Sequence, residues 1–172
     1  MKLPQAPLRT GYITFSGGLD TETPAIATAH PMLDDEHMQG TLRIMYELQE
    51  YLAAITGMAA ASLQPSAGAQ GELTGMLIFA AYHRSRGSQR TKILIPETAH
   101  GTDPASAALC GFTPVAGGSN ADGFIGVATV AALMDEQTAG IMVTNPNTLG
   151  LFEKNIRDIA EIVHAKGGLV YG

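Results

Sequence analysis

Three short stretches hold the side chains whose types and spacing could do chemistry. The first, Gln64-Pro65-Ser66-Ala67-Gly68-Ala69-Gln70-Gly71-Glu72, is a small-residue turn running into the apolar segment from Met76 to Tyr82. Small side chains let a ligand reach the backbone, and the free N–H groups and dipole of a helix start favour an anion such as phosphate. The same residues also suit a plain helix start packed closely on a neighbour. In the second stretch, Glu97-Thr98-Ala99-His100-Gly101-Thr102, His100 lies between small residues without the apolar neighbours of a core histidine. It reads as a ligand contact ahead of a satisfied structural group. The third, Thr144-Asn145-Pro146-Asn147-Thr148, is by itself a turn with Asx bonding; beside the other two loops it becomes an amide donor aimed at a ligand.

Several chemistries lack their signatures. The small-residue turn has no Gly-Lys-Ser/Thr ending and is not GxGxxG, so it is neither a P-loop nor a dinucleotide fingerprint. A Ser/His/Asp hydrolase pattern and a Cys/His metal spacing are both missing, and no metal is expected. His30 and His37 with Asp34, Asp35 and Glu36 could be pictured as a metal cluster, but acids at a helix start already have a dipole reason to be there. Lys2, Lys92, Lys154 and Lys166 do not follow strands on the crevice side, so none is a natural Schiff-base residue. His83 and His164 read as surface or capping groups, and Arg84, Arg86 and Arg90 as solvated charges at a helix end.

The elements that must position these loops follow from periodicity. Residues 1–37 contain Pro4, Pro7, Pro24 and Pro31 and no sustained helical period, which predicts an extended arm. Met38, Leu42, Met45, Leu48, Leu52 and Ile55 predict a helix with an acidic start, ended by Gly57. A helix from Glu72 to about Arg86 is expected next. The chain then alternates: strand 92–95, helix 103–109, strand 113–116, helix 127–134, strand 140–144, amphipathic helix 153–166 and a last strand from Leu169. Such alternation means an α/β fold, a parallel sheet with helices on both faces, whose ligands sit at the carboxyl ends of the strands. Each of the three stretches follows a strand, so the three could converge on one crevice.

The 172 residues suffice for one sizeable core, and 45% hydrophobic with 15% charged residues is globular material. A net charge of -6 without a Lys/Arg cluster argues against nucleic acid. No apolar run approaches a membrane span, and a cytoplasmic setting is the default. The single cysteine, Cys110, fits a reducing compartment and reads mostly as a small buried side chain.

Leu63 to Glu72, Ala99-His100-Gly101-Thr102-Asp103-Pro104-Ala105-Ser106-Ala107 and Thr144 to Phe152 resemble, in order and spacing, the pyridoxal-phosphate half of the glycine cleavage system P-protein. This is the glycine dehydrogenase (decarboxylating) family, in its separate subunit 2 form. Met45 to Leu52 resembles that family's helix, and the likeness covers residues 38–172, expected as a partial pyridoxal-phosphate-binding domain. The resemblance implies the large domain of a fold-type-I enzyme with pyridoxal 5'-phosphate as cofactor. Ser66, Ala67, Gly68, Ala69 and Gln70 would hold the phosphate, His100 would stack on the pyridine ring and Asn145 would bond the ring hydroxyl. Asp103, where the family commonly has asparagine, would add negative charge near the phosphate site. The implied reaction decarboxylates glycine and passes the aminomethyl group to the lipoyl arm of H-protein. Glycine dehydrogenase subunit 1 is the expected partner in a hetero-oligomer.

The family pattern continues past Tyr171-Gly172 with an aspartate for the ring nitrogen and, further on, a lysine that carries the cofactor. The resemblance therefore implies a truncated chain, inactive alone. Two other readings stay open: another fold-type-I enzyme, disfavoured by the Ala-His-Gly-Thr and Asn-Pro-Asn-Thr-Leu-Gly combination, and a non-catalytic binding or assembly module.

Overall fold

A computed structural model describes residues 12–14, 30 and 32–172. The chain divides into two compact units, 1–71 and 72–172. Apart from one strand, most of the expected arm over 1–37 lies outside the described residues.

In the first unit, β1 (Tyr12–Thr14) pairs in parallel with β2 (Ala60–Ser62), Ile13 opposite Ala61. Helix α1 (Asp35–Thr56) has Asp35 and Glu36 in its first turn and stops at Gly57, whose φ of 68° lets its N–H reach Ala53 O. The expected boundaries are met at both ends. Its apolar series has the helical period, yet none of its residues is buried. Gln49 Nε2 ties it to β2 through Ala61 O at 3.0 Å.

Helix α2 (Gly68–Ser85) begins four residues before the expected Glu72. The small-residue turn is thus the helix's own first turn: the N–H groups of Gln70 and Gly71 both bond Ala67 O.

The second unit holds a four-stranded parallel sheet in the order β4-β3-β5-β6, made of β3 (Lys92–Pro96), β4 (Thr113–Gly117), β5 (Thr138–Met142) and β6 (Leu169–Tyr171). Helices α3 (Thr102–Leu109), α4 (Val127–Leu133) and α5 (Ile156–Ala165) connect them. Side chains alternate across a strand, so β3 splits its apolar residues between two cores. Ile93 and Ile95 pack with Met76 and Phe79 of α2 and Ala107 of α3. Leu94 packs on the other face with Val130 of α4 and Ile159 and Val163 of α5. Helices cover both faces, as expected.

Strand β5 starts two residues earlier than its hydrophobic run suggests, because it opens with a bulge. Lys92 pairs with Thr138 but Ile93 pairs with Gly140, leaving Ala139 as the extra residue. Side chains from elsewhere meet the carbonyls there. His83 Nε2 bonds Ala139 O at 2.8 Å, and Arg90 Nη1 bonds Thr138 O at 2.7 Å while its Nη2 reaches Lys166 O. This corrects two expectations. His83 is 3% exposed, a buried structural group, and Arg90 is a sheet clamp. His164, in the last turn of α5, is exposed as expected. Burial and the Arg90 charge push the His83 pKa down, so its imidazole stays neutral. Gly140 cannot be replaced cheaply, since a Cβ there would collide with the Leu169 carbonyl and the Phe79 ring.

Candidate functional site at the strand ends

Strands β3 and β5 are neighbours, but the chain leaves them for opposite faces: β3 leads to α3 beside Ile93, and β5 leads to α5 beside Leu94. Loops that diverge in this way open a crevice at the carboxyl ends, the topological switch point of a parallel sheet. A cleft lies there, lined on the β3 side by Pro96, Thr98 and Ala99 and on the β5 side by Val143, Thr144 and Asn145, with Glu153 at its edge. The two loops are joined directly, Thr148 Oγ1 donating to Thr98 O. The expectation that the second and third stretches converge is met in this unit.

Within the β5 loop the two asparagines have separate tasks. Asn147 is spent on structure: its Oδ1 accepts the N–H groups of Leu149 and Leu151, and its Nδ2 donates to Gly123 O. Asn145 is the first residue of a cis Asn145–Pro146 bond and is exposed. Its Oδ1 accepts the Glu153 N–H at 2.9 Å. That bond fixes the amide so that Nδ2 is the outward end, and among the described residues no acceptor meets it. Glu153 also turns its Oε1 to the Asn155 N–H at the start of α5, while Oε2 is buried with no donor among the described residues.

His100 is exposed at the entry to α3. Its Nδ1 lies 2.7 Å from Thr102 Oγ1 and accepts the Thr102 N–H at 3.3 Å. Nε2 meets no partner among the described residues.

Beneath it lies an acidic pair. Asp103 is 4% exposed; Glu72 has an Oε2 that is buried without a donor among the described residues. Burial, and then the Glu72 charge, raise the Asp103 pKa from 3.8 to about 6 against the opposing pull of His100 and its backbone N–H. Tyr171, at the end of β6, is pushed up by burial and by both carboxylates. Its ring packs on α2 where Gly75 has no side chain; a Cβ there would lie 2.5 Å from Tyr171 Cδ2. Cys110 is partly buried against this core with Sγ 3.8 Å from Leu73 O, and burial raises its pKa. That is the small packed side chain expected. None of the acid pair's burial shows in the sequence, where Asp103 looks like an ordinary first-turn acid.

The small-residue turn stands in the first unit. Ser66 donates both its N–H (2.7 Å) and its Oγ (2.6 Å) to Gln70 Oε1, which ties the turn shut from behind. Residues 66–70 are exposed, and a Cβ on Gly68 would meet nothing within 4 Å. The N–H groups of Gly68 and Ala69, the first two of α2, precede any intrahelical acceptor, a donor set suited to a phosphate. Among the described residues no group of three or more His, Cys, Asp or Glu could hold a metal ion, and no helix is long and apolar enough to cross a membrane.

No family model matches the chain. Curated relatives do. A Bacillus cytotoxicus protein named "Probable glycine dehydrogenase (decarboxylating) subunit 2" is 49% identical over 149 residues, 86% of this chain and 30% of its own length. Proteins of the same name match from Pyrococcus horikoshii, at 52% over 86% of this chain and 30% of theirs, and from Prosthecochloris aestuarii, at 48% over 96% and 34%. Among solved structures, the inhibitor-bound glycine decarboxylase (P-protein) of the glycine cleavage system superposes with a TM-score of 0.69 at 23% identity, over 87% of this chain and 33% of that one. A Burkholderia pseudomallei sphingosine-1-phosphate lyase gives 0.54 at 20% identity over 58% and 23%, a likeness of fold alone. With its parallel sheet and helices on both faces, the chain has the fold of the fold-type-I pyridoxal-phosphate enzymes. At half identity over most of its residues it is homologous to glycine dehydrogenase (decarboxylating) subunit 2, and it spans about a third of the length of the curated relatives it matches.

Proposed function

We propose that this chain forms the cofactor-holding part of a pyridoxal-phosphate-dependent glycine decarboxylase that passes the aminomethyl group to the lipoyl arm of H-protein. The observation that carries the reading is the switch-point crevice lined by Asn145, whose Nδ2 meets no acceptor among the described residues, with the exposed His100 following the lining residue Ala99 at the entry to α3. Homology to subunit 2 supports it. The residues of each unit suit the cofactor: in the first, the N–H groups of Ala67, Gly68 and Ala69, flanked by Ser66 and Gln70, would take its phosphate at a helix start, and in the second Asn145 would give a fixed amide donor for its ring hydroxyl and His100 a flat ring to stack on. Bound there, pyridoxal phosphate supplies the electron sink that lets glycine lose CO2. The chain's part is to hold and orient: α2 neutralises the phosphate end, and the two joined loops keep the ring donors in fixed positions. Subunit 1 and lipoylated H-protein are the partners of this reading, in a hetero-oligomer, and a cytoplasmic setting fits the lone thiol.

The test is a titration of pyridoxal 5'-phosphate followed by its absorbance, together with release of labelled CO2 from carboxyl-labelled glycine in the complete protein with subunit 1 and lipoylated H-protein. Saturable binding, glycine-dependent release and loss of both in His100→Ala are expected. Binding unaffected by His100→Ala and by Asn145→Asp would overturn the assignment of the crevice.

A further inference from the structure

We propose that Thr102 is a positioning residue that sets the tautomer and plane of His100. The inference rests on the reading of His100 as a cofactor contact, and it is carried by a pair of bonds from one residue to one ring nitrogen. Thr102 presents both its hydroxyl, at 2.7 Å, and its backbone N–H, at 3.3 Å, to His100 Nδ1. A backbone N–H can only donate, so Nδ1 must be the unprotonated nitrogen, and the neutral ring carries its proton on Nε2. The hydroxyl then donates to the same in-plane lone pair, which the two donors share. Both donors belong to the first residue of α3, a helix anchored by buried Asp103, Ser106 and Ala107. The ring is therefore referenced to a rigid element, although it stands in an exposed loop.

The consequence at the crevice is specific. Rotation of the ring about its Cβ–Cγ bond would break both contacts with Nδ1, so the plane is held and the outward edge is always an N–H. A neutral imidazole stacked on the cofactor's pyridine adds no charge against a protonated ring nitrogen, whereas a freely rotating ring would lose entropy on binding. Serine at position 102 keeps both donors. Valine keeps the shape and the N–H and removes the hydroxyl.

Long-range proton–nitrogen NMR of the histidine rings tests this in the chain without cofactor, with His100→Gln assigning the signals. In the wild type, His100 Nδ1 is expected at the shift of an unprotonated nitrogen and Nε2 at that of a protonated one. Thr102→Val is expected to move the two shifts toward each other while the remaining amide spectrum stays dispersed, and Thr102→Ser to restore them. Titration with pyridoxal 5'-phosphate is expected to weaken severalfold in Thr102→Val and to recover in Thr102→Ser. A protonated Nδ1 in the wild type, or shifts unchanged in Thr102→Val, overturns the proposal. If the shifts move as expected but His100→Gln binds the cofactor like the wild type, the tautomer lock stands and the reading of His100 as a cofactor contact fails.

Discussion

Replacing Asp103 by asparagine is expected to stabilise the second unit at neutral pH and to lose most of that gain in mild acid. Asp103 is 4% exposed beside the Glu72 carboxylate, and its pKa rises from 3.8 to about 6 on folding. A shift of about 2 units at roughly 1.4 kcal/mol each makes the ionised form cost on the order of 3 kcal/mol in the fold. The sign follows from proton uptake. Between the two pKa values the folded state binds more protons than the unfolded one, so this group's contribution rises as pH falls through about 6 and levels off below 3.8. Asparagine keeps an oxygen to accept the His100 backbone N–H and carries no charge. The gain should be 2 to 3 kcal/mol at about pH 7.5 and about 1 kcal/mol at about pH 4.5, a difference of roughly 2 kcal/mol between the two conditions. Urea unfolding of the wild type and Asp103→Asn at both pH values measures it. Titrating groups that do not face Asp103, His83 included, are common to the two proteins and cancel in the difference. An equal effect at both pH values, or a loss at neutral pH, would refute the argument that Asp103 is forced to ionise in a place hostile to charge.

Three other outcomes are expected. Gly140→Ala should cost about 3 kcal/mol or more, read by thermal or urea unfolding, because its Cβ would strike the Leu169 backbone and the Phe79 ring. His83→Leu should cost about 1–3 kcal/mol by leaving Ala139 O unbonded. Since the folded His83 pKa is depressed, the wild type should also lose stability as pH falls below 6.5, and that portion of the slope should be missing from the leucine variant. Asn145→Asp keeps the acceptor for Glu153 N–H but removes the outward donors, so the fold should persist by circular dichroism while affinity for pyridoxal 5'-phosphate drops about tenfold or more.

The parallel fold was legible because its punctuation is local. Gly57 ends α1, Gly167 and Gly168 separate α5 from β6, and strand-type runs alternate with helical ones. The places of His100 and Asn145, in the loops that follow two neighbouring strands, are legible for the same reason. The unread parts depend on contacts far apart in sequence. His83 looks like a helix-end histidine until Ala139, 56 residues on, supplies its partner, and Arg90 finds its acceptors 48 and 76 residues away. Strand β5 starts ahead of its apolar run because a bulge, which has no signature of its own in the sequence, adds Thr138 and Ala139 to it. Asp103 and Glu72 look like ordinary helix acids, and only the packing of α2 on Tyr171 and α3 turns them into a buried pair.

The extra residue at Ala139 is confined to the amino end of β5 and leaves the crevice end in phase. Thr138 stands opposite Lys92 and Gly140 opposite Ile93, so without Ala139 the ladder would run on unbroken, Ile141 still opposite Leu94. What the bulge adds is an acceptor: His83 takes the Ala139 carbonyl while Arg90 takes that of Thr138. A deletion of Ala139 would therefore leave Asn145 aimed as it is and would strip a buried imidazole of its partner, a loss of stability without a loss of the site.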